Sequence, residues 1–224
     1  MSRKKIFKRL IQPWLVPVTK SYLRKERKAQ FMGLKLSIPP GIFHPSLFFS
    51  TRTMCRYLKT QSLTGKKVLE IGCGSGAICI FAAKEKAITF ACDINPVAVS
   101  TTSSNCLLND VMVQIVQSNL FEKIKEKNFE LIINNPPYFP KNPSNLEEHA
   151  WYAGQDLNYF QLLFRDSKKY LAIKGKLILV LSDDCNITLI NKMAEIESFQ
   201  PQLVYTRNTW LEKNFIWEYE LKVN

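Results

Sequence analysis

Three short stretches of this 224-residue chain carry residue types that can do chemistry together. The first is E-I-G-C-G-S-G, Glu70 to Gly76. Glycine has no Cβ, so its backbone reaches conformations and close approaches to a ligand that a side chain would forbid. The second is Asp93, which stands 21 residues after Gly72 and ends the apolar run 87–93. A carboxylate in that position can accept hydrogen bonds from both ribose hydroxyls. The glycines are spaced G-x-G-x-G with Glu70 before them, not G-x-G-x-x-G as in the dinucleotide fingerprint. A nucleotide-like ligand with a free 2′,3′-ribose is implied, without a clear pyrophosphate cradle. The third stretch is F-E-L-I-I-N-N-P-P-Y-F-P, Phe129 to Pro140. Its apolar opening reads as a buried strand, and Pro136 and Pro137 then stiffen the exit and push Asn135 toward extended geometry. In open α/β sheets ligands sit beyond the carboxyl ends of strands, which puts the Asn135 amide and the Tyr138 ring where a substrate meets them. A Pro-rich turn with a packed Tyr138 is the alternative reading.

The elements that must hold these residues alternate. The pattern predicts strands at 67–72, 87–93, 111–116, 129–134 and 176–182, and helices at 76–86, 96–109, 158–171 and 187–199, with Pro96 in the first turn of its helix. Residues 201–207 and 215–223 read as an antiparallel pair closing one edge. The fold expected is therefore a doubly wound, Rossmann-like α/β domain with a seven-stranded, mostly parallel sheet. The domain spans 36–224, and residues 1–35 form a basic N-terminal extension.

That extension carries 11 Lys/Arg against one Glu, whereas the other 189 residues nearly balance at 20 against 18. Its clusters Arg3, Lys4, Lys5, Lys8, Arg9 and Arg24, Lys25, Arg27, Lys28 alternate with Phe7, Trp14, Tyr22 and Phe31. This suits contact with a polyanion, either RNA phosphates or an acidic protein or membrane surface; a solvated basic arm is the bland alternative. Basic residues precede an apolar patch at the start as in a signal peptide, but Gln12, Pro13 and Pro17 interrupt it and no A-x-A site follows. No membrane span is expected, since no apolar run approaches the ~20 residues of a spanning helix, and with secretion rejected the cysteine usage points to a reducing cytoplasm. The six cysteines include no C-x-x-C pair and the two histidines, His44 and His149, are far apart. No metal site is expected, and the cysteines read as small buried hydrophobes.

In order and spacing, E-I-G-C-G-S-G, A-C-D-I-N-P-V-A-V, S-N-L-F-E and N-N-P-P-Y resemble the motifs of class I S-adenosylmethionine-dependent methyltransferases, in the branch that methylates planar nitrogens. The resemblance covers about residues 36–224. P-P-G-I-F-H-P-S-L-F-F-S-T (39–51) is similar to the segment before the glycine motif in the methyltransferase small domain group, which includes release-factor glutamine methyltransferases and some RNA guanine and adenine methyltransferases. The resemblance implies S-adenosyl-L-methionine as cofactor. Glu70, Gly72, Cys73 and Gly74 would line its methionine portion, Asp93 and Ile94 the ribose, and Asn119 with Leu120 the adenine. The family usually has Asp where Asn119 stands, and an amide oxygen can accept the same bond. It further implies Asn135, Pro136, Pro137 and Tyr138 as the catalytic set: the Asn135 side chain and the Pro136 carbonyl accept the N–H groups of the acceptor nitrogen while Tyr138 stacks on its planar group. Asn135 also borders the cofactor. His44, Trp151 and Tyr152 are implied substrate contacts, and Pro45 and Thr51 lid residues. The acceptor expected is a protein glutamine in the translation machinery; an RNA guanine-N2 or adenine-N6 amine is the alternative, and a non-enzymatic RNA- or protein-binding scaffold the reading from another class.

Overall fold

The computed structural model describes residues 25–209 and 212–222. It opens with a hairpin, β1 (Arg27–Phe31) and β2 (Leu34–Ile38). Met32 and Gly33 turn it with φ of 50° and 86°, the pair of positive values that matches a two-residue turn to the twist of its strands. Then come α1 (Phe49–Leu58), β3 (Lys67–Ile71), α2 (Ala77–Lys84), β4 (Ile88–Asp93), α3 (Pro96–Leu108), β5 (Gln114–Gln117) and β6 (Phe129–Asn134). After a 3₁₀ turn at Glu147–Ala150, α4 (Asn158–Ser167), β7 (Leu171–Ser182), α5 (Ile187–Ile196), β8 (Phe199–Asn208) and β9 (Lys213–Leu221) complete the elements of the described residues.

The strands lie in the order β5-β4-β3-β6-β7-β9-β8. β3 to β7 are parallel, and β9 runs antiparallel to both β7 and β8. Successive strand residues point to opposite faces, and both faces are covered. Val68, Ala91, Leu131, Ile133, Ile178 and Val180 pack under α1, α2, α3 and the hairpin. Leu69, Phe90, Ile132, Leu177, Leu179 and Leu181 pack against Phe160, Leu163 and Phe164 of α4 and Ile190 and Ala194 of α5. Double coverage is why these strands read as continuous apolar runs. The fold is the doubly wound sheet with an antiparallel C-terminal pair that the sequence pattern predicts.

Several boundaries differ from the pattern. The strand expected at 111–116 forms only at Gln114–Gln117, and the helix expected to reach 171 stops at Ser167 because β7 already begins at Leu171. Within β7 the ladder slips opposite Phe129/Leu131, where Lys174 has φ of 62°. A Cβ on Gly175 would lie 2.6 Å from the Phe129 carbonyl oxygen, so only glycine fits this bulge. Ile173, 96% exposed, breaks the apolar alternation that would have marked the early strand.

The boundary expected at residue 35 falls inside β2. Phe31, Leu34, Leu36 and Ile38 are buried in the core beneath α1 to α3. Asn105 on α3 and Asn109, the residue that caps its C-terminus one turn later, serve β2 as a substitute partner strand. The Asn105 Oδ1 accepts from Ser37 N at 2.8 Å and its Nδ2 donates to Ser37 O at 3.0 Å; Asn109 does the same for Lys35 at 2.9 and 2.7 Å. The hairpin is thus part of the same core, and the Arg3–Arg9 cluster lies outside the described residues. All six cysteines are free thiols, five of them buried. Among the described residues no helix is long and apolar enough to cross a membrane.

Candidate active site

The ends of β3, β4 and β6 open into one cleft, whose space is about 1380 Å³ with its solvent-open side included. Beyond β3 the chain crosses toward β4, where the N–H groups of Gly72 and Cys73 donate to the Cys92 carbonyl at 2.8 and 3.0 Å. Asp93 then ties two loops together. Its Oδ2 accepts from Gly74 N and its Oδ1 from Asn95 N, both at 2.9 Å. Asn95 in turn caps α3 by accepting from Val97 N at 2.9 Å, ahead of Pro96 in the first turn. Burial raises the Asp93 pKa, and the N–H donors of Asn95, Gly74 and Ile94 oppose that rise. Each Asp93 oxygen keeps lone-pair capacity for a further donor from the cleft.

Glu70 is 2% exposed. Its Oε2 accepts from Cys79 N at 2.7 Å, satisfying one of the orphan donors in the first turn of α2. Burial pushes its pKa up to about 8. Gly76 enters α2 with φ of 78°, and a Cβ there would meet Thr102 at 2.8 Å. At Gly74, with φ of 53°, a Cβ would meet nothing within 4 Å, so the bare backbone faces open space in the cleft. Asn119 and Leu120 follow β5 on the same wall. The Asn119 Nδ2 donates to Glu122 at 2.8 Å, which leaves the carbonyl end of that amide for the cleft.

At the exit of β6 the two asparagines separate. Asn134 is fully buried, its Nδ2 donating to Ile71 O at 2.7 Å and its Oδ1 accepting from the Tyr159 hydroxyl at 3.1 Å. Asn135 is half-buried and lines the cleft, and among the described residues its amide joins no hydrogen bond. Pro136 and Pro137 are buried beside it, and Tyr138 lies half-buried with its hydroxyl toward Ser182. Burial raises the Tyr138 pKa to about 12, so the phenol is neutral at physiological pH.

The following loop returns to this exit. Tyr138 N and Phe139 N both donate to Trp151 O, at 3.2 and 3.0 Å, and Ala153 N donates to Phe139 O at 2.9 Å. Trp151 meets Phe43 and Phe48 with ring centroids 5.6 and 5.2 Å apart, while those two rings stack at 4.4 Å. These three aromatics form the rim.

Glu70, Gly72, Cys73, Gly74, Asp93, Ile94, Asn119, Leu120, Asn135, Pro136, Pro137, Tyr138, Trp151 and Thr51 all line this one cleft. His44 and Tyr152 do not. His44 is 3% exposed and accepts from Ser46 N at 3.3 Å, its pKa lowered by burial; Tyr152 turns its ring under Lys141 Nζ at 4.4 Å. Pro45 is buried beside His44, away from the lining. Sequence reasoning missed Phe43, Phe48, Glu147, His149, Tyr159 and Glu212 as lining residues. Phe43 and Phe48 stood within the 39–51 segment already singled out, and His149 and Tyr159 in the stretch 149–160, which is similar to the family's segment after NPPY and holds Trp151 and Tyr152; Glu147 and Glu212 carried no local signal.

Residues 33–200 match the methyltransferase small domain family. The chain belongs to that family. Within it, a protein named as a putative protein N5-glutamine methyltransferase from Methanocaldococcus jannaschii is 37% identical over 109 residues, 48% of this chain and 53% of the relative. A release factor glutamine methyltransferase from Flavobacterium psychrophilum is 29% identical over 166 residues, 71% of this chain and 52% of the relative. The chain therefore spans about half the length of these relatives. A T. thermophilus 16S rRNA N2 methyltransferase, solved with AdoMet and guanosine, shares the fold with a TM-score of 0.64 at 18% identity, covering 88% of this chain and 50% of that one.

Proposed function

We propose that this chain is an S-adenosyl-L-methionine-dependent N-methyltransferase acting on a planar amide or amine nitrogen, with a glutamine side chain of a translation-related protein as acceptor. The observation that carries this reading is the convergence of the glycine loop, the doubly anchored Asp93 and the unengaged Asn135 amide on one cleft. The residues fit the cofactor. Gly74 opens bare backbone to the cleft, and Asp93 offers acceptors to two ribose hydroxyls. Asn119 and Leu120 stand for the adenine, and Glu70 and Cys73 for the methionine portion. When bound, the cofactor supplies an electrophilic methyl on sulfonium.

An amide nitrogen is a poor nucleophile because its lone pair is delocalised. Asn135 Oδ1 and the Pro136 carbonyl each accept one N–H of the acceptor, which turns the lone pair toward the methyl, a positioning effect. The buried prolines hold that carbonyl still, and the neutral Tyr138 ring covers the planar group. The proton leaves to water once the nitrogen has been alkylated, so no dedicated base is required.

An exocyclic amine of guanine or adenine in RNA is the second reading, favoured by the net charge of +12. Against it, Glu70, Asp93, Glu147 and Glu212 line the cleft while, among the described residues, no Lys or Arg does. The basic residues ahead of β1 serve substrate capture, and such an acceptor puts the enzyme in the cytoplasm. A scaffold has no need of the intact glycine loop, Asp93 and NNPPY together. Incubation with labelled cofactor and cell extract, followed by protease or ribonuclease, tests the reading. Label lost to protease supports the glutamine acceptor, label lost to ribonuclease the base.

A further inference from the structure

Three arginines, two on α1 and one on β8, gather beside the cleft. Arg52 and Arg56 are one turn apart on the same face of α1, an arrangement in which like charges destabilise the helix. Arg207, on β8, lies over the Phe49 ring at 5.7 Å, and Arg52 over the Phe31 ring at 5.1 Å. β8 packs on α1 here, with the Tyr57 and Tyr205 ring centroids 6.1 Å apart, and burial, then the charges of Arg56 and Arg52, lower the Arg207 pKa. Among the described residues no ion pair involves any of them. The Arg207 Nη1 is enclosed and makes no hydrogen bond. A buried donor without a partner costs free energy that a ligand can recover.

The position adjoins the acceptor site. Thr51, next to Arg52, lines the cleft, as does Asn214, the ladder partner of Arg207. Glu212, also a cleft residue, acts electrostatically on Arg207. A trio gathered around one recessed donor suits a single planar anion, and the guanidinium fork matches a carboxylate in a bidentate pair. A polyphosphate reaching from the trio into the cleft would need cations there, but among the described residues the cleft is lined by Glu212 and Glu147 and by no Lys or Arg. A protein segment can carry one acidic residue and be neutral beyond it.

We infer that Arg52, Arg56 and Arg207 form a carboxylate-binding subsite that anchors an acidic residue of the protein substrate near its methylated side chain. This rests on the protein-acceptor reading above. The test compares binding to the full chain, by anisotropy, of a fluorescein-labelled glycine–serine hexapeptide carrying one glutamate and of labelled hexauridylate. Wild type is set against Arg56→Ala, Arg207→Lys and the triple alanine variant, with thermal unfolding alongside. The basic N-terminus is common to all of them, so the difference between variants is the readout. The triple variant should lose at least about tenfold in peptide affinity, the worth of one charge-assisted pair. Arg56→Ala, at an exposed position, should lose about threefold with unchanged unfolding, since it removes one exposed member of the trio. Arg207→Lys should recover only part of the loss, because it keeps the charge and not the fork. On the protein substrate, KM should rise while kcat holds. Equal peptide affinity of wild type and Arg56→Ala overturns the inference, as does a loss confined to the oligonucleotide, which would assign the trio to a phosphate backbone. The peptide measurement needs no turnover, so failure of the methyl-transfer reading registers separately, as absence of protein-borne label.

Discussion

At the floor of the cleft Asn134 is held at both ends of its amide, by Ile71 and Tyr159, whereas one residue later Asn135 faces the cleft with its amide unengaged. Strand alternation sends neighbours to opposite sides, so one asparagine knits β3, β6 and α4 together and the other is left for a ligand. The same contrast separates floor from rim. Floor residues sit on strand ends or on loops fixed by Asp93 and Glu70. The rim residues Phe43, Phe48 and Trp151 sit on connecting segments and meet through ring contacts. Hydrogen-bonded positions suit the proposed chemistry, and ring faces that line the cleft the proposed capture of the acceptor.

The sharpest way to break the comparison is to alanine-substitute the two asparagines in turn. Asn135→Ala should lower kcat by roughly a hundredfold to a thousandfold, about 3–4 kcal/mol of barrier, with cofactor affinity within a few fold. Near-wild-type turnover in a folded protein would make NNPPY only a rigid turn. Asn134→Ala should act on the fold instead. It leaves the Ile71 carbonyl and the Tyr159 hydroxyl buried without partners, at about 1–3 kcal/mol each, and denaturant unfolding should show the loss while Asn135→Ala stays within about 0.5 kcal/mol of wild type.

Asp93→Ala should weaken cofactor binding more than about tenfold, since two charge-assisted bonds at roughly 1.5–3 kcal/mol each are lost. Calorimetry finding unchanged affinity would remove Asp93 from the ligand. Glu70 sharpens the floor from another side. Its carboxyl stays protonated to about pH 8 in the folded chain, against an ordinary value of 4.5. The folded state therefore holds the extra proton between those values, so this stabilisation is complete below pH 4.5 and is lost as pH rises through 8. Stability of wild type should fall across that window at up to about 1.4 kcal/mol per pH unit, and Glu70→Gln should flatten the slope; parallel slopes would count against a protonated Glu70. Trp151→Ala, at the rim, should have the smallest effect: a rise of about threefold to tenfold in acceptor KM from lost aromatic contact, with kcat held. A fall in kcat matching that of Asn135→Ala would erase the distinction between floor and rim.

Local sequence determined the parts whose cause is local. Glycines demanded by positive φ, an acid at a strand end, prolines after an apolar run and the strand–helix alternation are each set by a few neighbouring residues, and they carried the doubly wound sheet and the floor of the cleft. The hairpin before the cleft was not legible, because it folds through Asn105 and Asn109, which lie 68 and 74 residues away from Ser37 and Lys35. The early start of β7 was hidden by a bulge that only the close approach of Phe129 makes necessary. N-N-P-P-Y marked a site but not which amide would be consumed by the fold; the Tyr159 hydroxyl, from α4, made that choice. Nor does spacing bring Arg207 to Arg52 and Arg56: β8 and α1 meet because the chain returns to the sheet edge, and charges that distant in sequence share a surface only after the core has closed between them.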